Sequence, residues 1–408
     1  MGMRISDIRA QFPILSRTVY GKPLVYLDNA ATAQRPQSVV DCWERLTAGS
    51  NANIHRAVHA LASEATDAYE QTRDRVKEFI HAALREEIVF TSGATAAVNL
   101  VAFSFGEAFV QEGDEIIVSV AEHHSNLVPW QLLCRRKKAV LKVLDIDENG
   151  VLQPATLEKL ISERTKIIAI SHIPNVLGLV NPVQELVATS HRHGVPVLVD
   201  GAQGIVHEEV DVQQLDCDFY VFSGHKLYAA TGTGVLYGKK KWLDAMPPYQ
   251  GGGEMIQSVS FEGTTFAPLP GKFEAGTQNF NAVPTLVPAL EFVKACRQSP
   301  EAEAQQSAIL DYVYTALSEH PLVTLYGTQR ERKAPLFSFA VKGAHHEDLA
   351  LILDKMGIAL RSGQMCAEPL MDRLGVTGLL RASFGPYNTL EEAHYFIECL
   401  NKAINMLV

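Results

Sequence analysis

A chain of 408 residues is too long for one small core and points to a large unit with a smaller partner. Its 47% hydrophobic and 20% charged residues suit a soluble globular protein, and a net charge of −10 offers no basic face for nucleic acid. No apolar run approaches membrane-spanning length, and Met1-Gly-Met-Arg4 leads into no secretory h-region. Cys42, Cys134, Cys217, Cys296, Cys366 and Cys399 show no CxxC spacing, so neither a metal site nor a disulfide framework is indicated, and a reducing cytoplasm is the expected home.

From about Glu86 to Tyr237, short apolar strands alternate with amphipathic helices. The expected strands are 87–90, 115–119, 139–143, 166–170, 195–199, 218–222 and 234–237. Several are unbroken Val/Ile/Leu runs, which suits strands buried on both faces of a mainly parallel seven-stranded sheet flanked by helices. A helical run over 96–110 follows the turn at 90–95. Another helix is expected to begin with Asn181 as N-cap and Pro182 behind it, and to close at His193-Gly194. Gln250–Gly253 and Ala267–Pro270 mark a loop region without periodicity. Beyond the helical pattern Pro284–Arg297, the spacing predicts helix 300–319, strands near 322–326 and 335–341, and helix 345–356. Strands near 358–361 and 379–383 and helix 389–407 complete a small α+β unit. The expected division is a large unit over 22–295 and a small one built from 1–21 and 296–408.

Ligands of such sheets gather at the carboxyl ends of the strands, where the polar residues of this chain collect. Ser223-Gly-His225-Lys226 follows strand 218–222, and Asp200-Gly-Ala-Gln203 ends strand 195–199. Pyridoxal 5'-phosphate (PLP) needs this pair: a lysine to form an imine with its aldehyde, and a buried carboxylate to keep the pyridine nitrogen protonated. The turn through Gly93 and Thr95 opens a helix whose N–H groups form an anion site for the cofactor phosphate, with Ser223 and His225 as further donors. Of the pair His123-His124, one imidazole fits flat over the cofactor ring, where it could also shuttle protons near neutral pH. Gln203 fits the phenolic oxygen, and Asn175 the ring oxygen or a substrate carboxylate. Arg381 suits either a carboxylate clamp or an interdomain ion pair. Cys366 lies in a polar, Gly-containing loop near Arg361; cysteine is more often a small buried hydrophobe than a nucleophile, and both readings stay open.

Taken together, the chain resembles the fold-type I PLP enzymes of the class V aminotransferase family. Within that family it resembles the group II cysteine desulfurases and their sulfinate desulfinase and selenocysteine lyase-like members. The resemblance rests on Tyr26–Thr32, Asn53–Arg56, Ala121–Trp130, Asp200–Gln203, Phe222–Tyr228, Phe273–Thr277, Arg361-x-Gly-x-x-Cys366-Ala and Leu380–Ser383. It implies that Lys226 carries the cofactor and moves the substrate α-proton, Asp200 pairs with the pyridinium, Gln203 with the ring oxygen, and His123 stacks on the ring. Thr95, Ser223 and His225 would bind phosphate, with Thr277 reaching in from the other subunit of a homodimer. Arg381 and Asn175 would hold the substrate carboxylate, with His55 and Arg56 nearby from the partner chain. Cys366 would take sulfur from L-cysteine as a persulfide, releasing L-alanine, and a sulfur-acceptor protein would collect it, for example for iron–sulfur cluster assembly.

The chain departs from the usual subgroup pattern at Ser92, Ala94 and Ala96, at Ala229-Ala230, at Gln278, and at Met365, where a histidine commonly precedes the cysteine. Losing that imidazole removes one potential activator of the thiol. A sulfinate or selenocysteine lyase in which Cys366 is incidental, and a catalytically idle PLP-binding subunit, are the competing readings.

Overall fold

The apolar runs between residues 86 and 238 form a seven-stranded sheet in the computed structural model, which describes residues 4–408. The first three residues of the expected small unit lie outside the described residues. In chain order the strands are β1 (Ile88–Thr91), β2 (Glu115–Ser119), β3 (Val140–Leu144), β4 (Thr165–Ser171), β5 (Val197–Asp200), β6 (Phe219–Ser223) and β7 (Gly234–Gly238). Their spatial order is β1-β7-β6-β5-β4-β2-β3. All pairings from β6 to β3 are parallel, whereas β7 runs antiparallel to both β6 and β1. The segment 224–233 is too short for the helical crossover that a parallel return needs.

Alternation along the strands explains why both faces are covered. Ile117, Ile168, Ile170, Tyr220 and Phe222 enter one apolar cluster, while Ile116, Val118, Ile167, Ala169, Phe219 and Val221 enter another. Burying each large side chain of this kind contributes about 1.5–3 kcal/mol. Helix α1 (Ala94–Phe109) packs in the second cluster and α2 (Leu286–Arg297) in the first.

A second, antiparallel sheet contains β8 (Val323–Tyr326), β9 (Leu336–Val341), β10 (Arg361–Gly363) and β11 (Leu379–Ser383), in the order β8-β9-β11-β10. Helices α3 (Pro300–Ser318) and α4 (Leu390–Leu407) supply Ile309, Val313, Phe396 and Leu400 to its apolar cluster.

Three expectations need correction. The strand expected near 358–361 is two pieces, because Ile358–Ala359 pairs in parallel with Val25–Tyr26 before β10 begins. The region taken as loop around 250–270 contains an antiparallel hairpin, Ile256–Val259 with Thr264–Phe266; most of its residues are exposed, so no burial periodicity marks it. Asn181 is not an N-cap: the helix is Val183–Arg192 with Pro182 at the cap position. The Asn181 amide instead donates to Ser171 O at 2.9 Å, and its Oδ1 accepts from Leu152 N at 3.3 Å. The same helix does close at His193, with Gly194 following at φ +70°.

Candidate active site

A cavity of about 400 Å³ opens where the carboxyl ends of β4, β5 and β6 face the start of α1 and the loop between β10 and β11. Lys226 lies on its wall in the turn that follows β6, and Asp200 ends β5 beside it. Burial pulls the Lys226 pKa down, partly opposed by Asp200. Burial pushes the Asp200 carboxyl up, partly opposed by Lys226. Among the described residues Lys226 Nζ has no hydrogen bond or ion pair, and the Asp200 carboxylate accepts only from Ala202 N, at 2.9 Å.

The end of the cavity expected to take the phosphate is built from backbone approach. Gly93, at φ +153°, packs so closely on Gly234 that a Cβ on the latter would lie 2.4 Å from the Gly93 Cα. This contact seats the first turn of α1 on the sheet, where Ala94 N donates to Ser223 Oγ at 2.8 Å. Thr95, Ser223 and His225 all line the cavity there. Ser223 thus brings a hydroxyl to a turn that lacks polar side chains at Ala94 and Ala96.

His123 is neutral. Burial, with Lys226 adding, brings its pKa down to about 3, and Nδ1 accepts from Ser125 N at 3.1 Å, which leaves the ring proton on Nε2. It therefore does not titrate near neutral pH as the sequence reading anticipated; a flat, uncharged ring is what the fold presents to the cavity. His225 is held down to about 4, also by burial.

Asn175 and Arg381 join at the far wall. Arg381 Nη1 donates to Asn175 O at 2.9 Å, and Nη2 lies 3.4 Å from Asp28 Oδ1. Burial lowers the guanidinium pKa to about 10, so it stays charged. Arg381 Nε and Asn175 Oδ1 are both buried without a partner. Buried polar atoms of that kind leave hydrogen-bonding capacity that a polar ligand can use.

Cys366 is the one exposed cysteine among the described residues, and all six thiols are free. Met365 and Cys366 take consecutive left-handed conformations, φ +54° and +56°, which strains two non-glycine residues. Contacts from the main sheet hold them: Asn175 Nδ2 donates to Met365 O at 2.9 Å, and His124 N to Cys366 O at 2.8 Å. His124 Nε2 in turn accepts from Glu368 N at 3.2 Å. Met365 is nearly buried on the cavity wall, where its thioether supplies no proton.

Four expected residues fall elsewhere. Gln203 is buried outside the lining and donates to Ala30 O at 2.8 Å. Thr277 lines a separate cavity with Ser92 and Gln278. His55 pairs with Glu70 at 3.1 Å, and Arg56 with Glu254 at 3.0 Å, both away from the Lys226 cavity.

Two contributors escaped sequence reading. Asp28 bridges Arg381 and Arg361, the latter at 2.7 Å; its motif was visible but gave no hint of a partner more than three hundred residues away. Glu122, 1% exposed, accepts from Ser171 N (2.8 Å), Ser171 Oγ (2.6 Å) and Asn126 Nδ2 (2.7 Å), and also from Ser119 Oγ, tying the ends of β2 and β4 together directly before His123. Burial pushes its carboxyl up to about 7 against these donors. The folded chain thus holds a proton that the unfolded chain has released above about pH 4.5. Glu122 therefore makes stability fall as pH rises to about 7 and level beyond, by on the order of 3 kcal/mol. Glu122→Gln is expected to remove this component. Urea unfolding of both proteins at pH 5 and 7.5 reads it as a wild-type-minus-variant difference; identical pH slopes would refute it.

Residues 25–396 match the class-V aminotransferase family. The chain is 46% identical over 407 residues to the "Probable cysteine desulfurase" of Vibrio cholerae, covering 100% of each. It is likewise 46% identical over 409 residues to the cysteine desulfurase of Escherichia coli strain SE11. Among solved structures, the S-sulfonic acid form of the cysteine desulfurase CsdA from Escherichia coli superposes with a TM-score of 0.90 at 40% identity, over 99% of both chains. The apo cysteine desulfurase of Thermococcus onnurineus NA1 gives 0.91 at 36%, over 98% of both. With the lysine, the carboxylate and the exposed thiol on one cavity, the chain belongs to the class-V aminotransferase family, among its cysteine desulfurases.

Proposed function

We propose that this chain converts L-cysteine to L-alanine and carries the sulfur on Cys366 as a persulfide for a separate acceptor protein. The observation that carries the reading is the convergence of Lys226, Asp200 and the exposed Cys366 on one cavity whose opposite wall holds an unsatisfied buried Arg381 Nε.

The residues fit PLP. A carboxylate buried with one backbone donor suits a pyridinium partner, and a lysine with no protein partner and a lowered pKa suits covalent attachment. A helix N-terminus with Thr95, Ser223 and His225 suits a phosphate. When bound, PLP supplies an electron sink for bonds at the substrate α-carbon.

The chain's own residues do the rest. Arg381, with Asn175 beside it, orients the substrate carboxylate. Lys226 Nζ takes the α-proton, helped by a lowered pKa. Neutral His123 fills one face of the site and excludes water from it. The Cys366 thiolate attacks the substrate sulfur: an S–S bond forms on Cys366 and the carbon–sulfur bond breaks. The electron pair stays on the substrate carbon, which takes up a proton and departs as the methyl group of alanine.

The outlying positions of His55, Arg56 and Thr277 support their completing a partner's site in a homodimer. Exposed Trp43, Val58, Leu61 and Phe261 offer apolar surface for it. The cysteine-loop motif Arg361-x-Gly-x-x-Cys366-Ala supports a group II reading. The separate apolar cluster of the second sheet supports a small unit from about residue 296 onward, with the N-terminal segment docked on it through Arg9–Glu392. No helix among the described residues is long and apolar enough to cross a membrane, and an exposed thiol suits a reducing cytoplasm.

Alanine release from L-cysteine under reductant tests the reading, with wild type compared to Cys366→Ala. A fall of at least about 10²-fold is expected, the loss of a nucleophile with no substitute on the cavity wall. Cysteine sulfinate and selenocysteine carry better leaving groups, so the variant is expected to keep most of its activity on them. Unchanged release from L-cysteine would favour the lyase reading, which Met365 in place of an activating imidazole motivates.

A further inference from the structure

Behind the Lys226 turn lies a second cavity of about 330 Å³, bounded by α2, α3 and the segment after β11. Its floor is apolar, from Phe292, Val293, Phe384 and Pro386. Set into that floor is Tyr228, which is 3% exposed and held at φ +67° with its ring 5.0 Å from Phe292. Tyr228 lines the cavity and, among the described residues, its hydroxyl has no hydrogen-bond partner. The same holds for both ring nitrogens of His207 and the amide of Gln306. A tyrosine whose ring is buried and whose hydroxyl is left open to a cavity gives that cavity hydrogen-bonding capacity to offer an occupant.

The charges are divided. Arg297 is fixed in place, its Nη2 donating to Ile205 O at 2.8 Å and to Glu208 O. Its field acts on both His207 and Tyr228, so these three form one donor-rich side, while Glu209 and Glu208 act on Arg297 in turn and offset part of its charge; His207, held down to about 4 by burial, is neutral there. Glu209 and Glu303 are exposed at the rim and, among the described residues, make no ion pair. A purely anionic ligand would meet these two carboxylates, and a purely cationic one would meet Arg297. A molecule with both charges and an apolar body satisfies all three features, and the volume restricts it to a small one. Burial pushes the Cys296 thiol in the wall up to about 12, so it contributes shape and not reactivity.

We propose that this cavity binds a free zwitterionic amino acid with an apolar side chain, its carboxylate toward Arg297 and Tyr228 and its ammonium toward Glu209 and Glu303. The site stands apart from the Lys226 cavity, and its occupant joins the lysine turn to α2 and α3. Binding is its readout, so it stands or falls independently of the desulfurase reading.

The probe is N,N-dimethyl-L-leucine, a tertiary amine that keeps both charges and cannot condense with an aldehyde. Titrated calorimetrically into the holoenzyme, it is expected to give one saturable site. Gln306→Trp, a change on the accessible side of α3, should plug the mouth and abolish binding. Glu303→Lys should weaken it at least about fivefold by reversing one partly exposed charge contact. N,N-dimethyl-L-leucinamide, which lacks the carboxylate, should not bind. No saturable heat, equal affinity in Gln306→Trp, or equal binding of the amide would each overturn the proposal.

Discussion

Replacing Lys226 with alanine is expected to lower turnover of L-cysteine by about 10⁴-fold or more, because it removes both the attachment point and the proton carrier. The fold should survive intact. Lys226 makes no hydrogen bond or ion pair among the described residues, and burial alone already disfavours its charge. Thermal unfolding of the cofactor-free variant is therefore expected at or slightly above the wild-type temperature. Borohydride reduction of the wild type should fix the PLP mass to the peptide containing Lys226, and the variant should take up none. A variant that kept covalent PLP, or that lost its fold, would refute the assignment of Lys226 as an unpartnered, purely functional lysine.

The largest stability effect is expected at Glu274. Its carboxylate accepts from Arg73 Nη1 at 2.8 Å and Nη2 at 2.9 Å, from Tyr69 Oη at 3.1 Å and from Phe90 N at 2.7 Å, with both charged side chains almost fully buried. Glu274→Ala leaves the Arg73 guanidinium, 2% exposed, without its main counter-charge, a loss of about 3–5 kcal/mol. Arg73→Met combined with Glu274→Leu should recover most of this, since removing both charges strands neither. A chain of this size does not unfold in one step, so the comparison is the midpoint of the first urea transition. A shift below about 1 kcal/mol for Glu274→Ala would show that water reaches Arg73. Activity should fall with stability here, because Glu274 fixes the backbone that leads to Thr277.

The main sheet was legible because burial on both faces writes itself as unbroken apolar runs. β2 falls where Glu115–Ser119 was read, and β6 lies within one residue of its expected bounds. What escaped detection has no periodic signature. The hairpin over 256–266 is exposed on nearly every residue, and Ile358–Ala359 is too short to show alternation and takes its strand character from Val25–Tyr26 far away in the chain. The site divides in the same way. Lys226, Asp200 and Ser223 were legible because each ends an apolar strand. Asp28 and Glu122 were not, because their meaning lies in partners brought together by folding: two arginines for one, and the ends of two strands for the other. The His123 imidazole was found, but the burial that lowers its pKa could not be read from two adjacent histidines.

The ion pairs of Asp28 with Arg361 and Arg381 set a timetable. As the chain leaves the ribosome, Asp28 emerges early, while its partners on β10 and β11 are among the last segments made. The seven-stranded sheet can close as soon as β7 has emerged, so Lys226 and Asp200 can take their places well before the wall that carries Arg381 exists. A growing chain can thus present its lysine before it can hold a substrate. Interrupted synthesis would yield fragments that carry the lysine of the proposed site and lack its arginine.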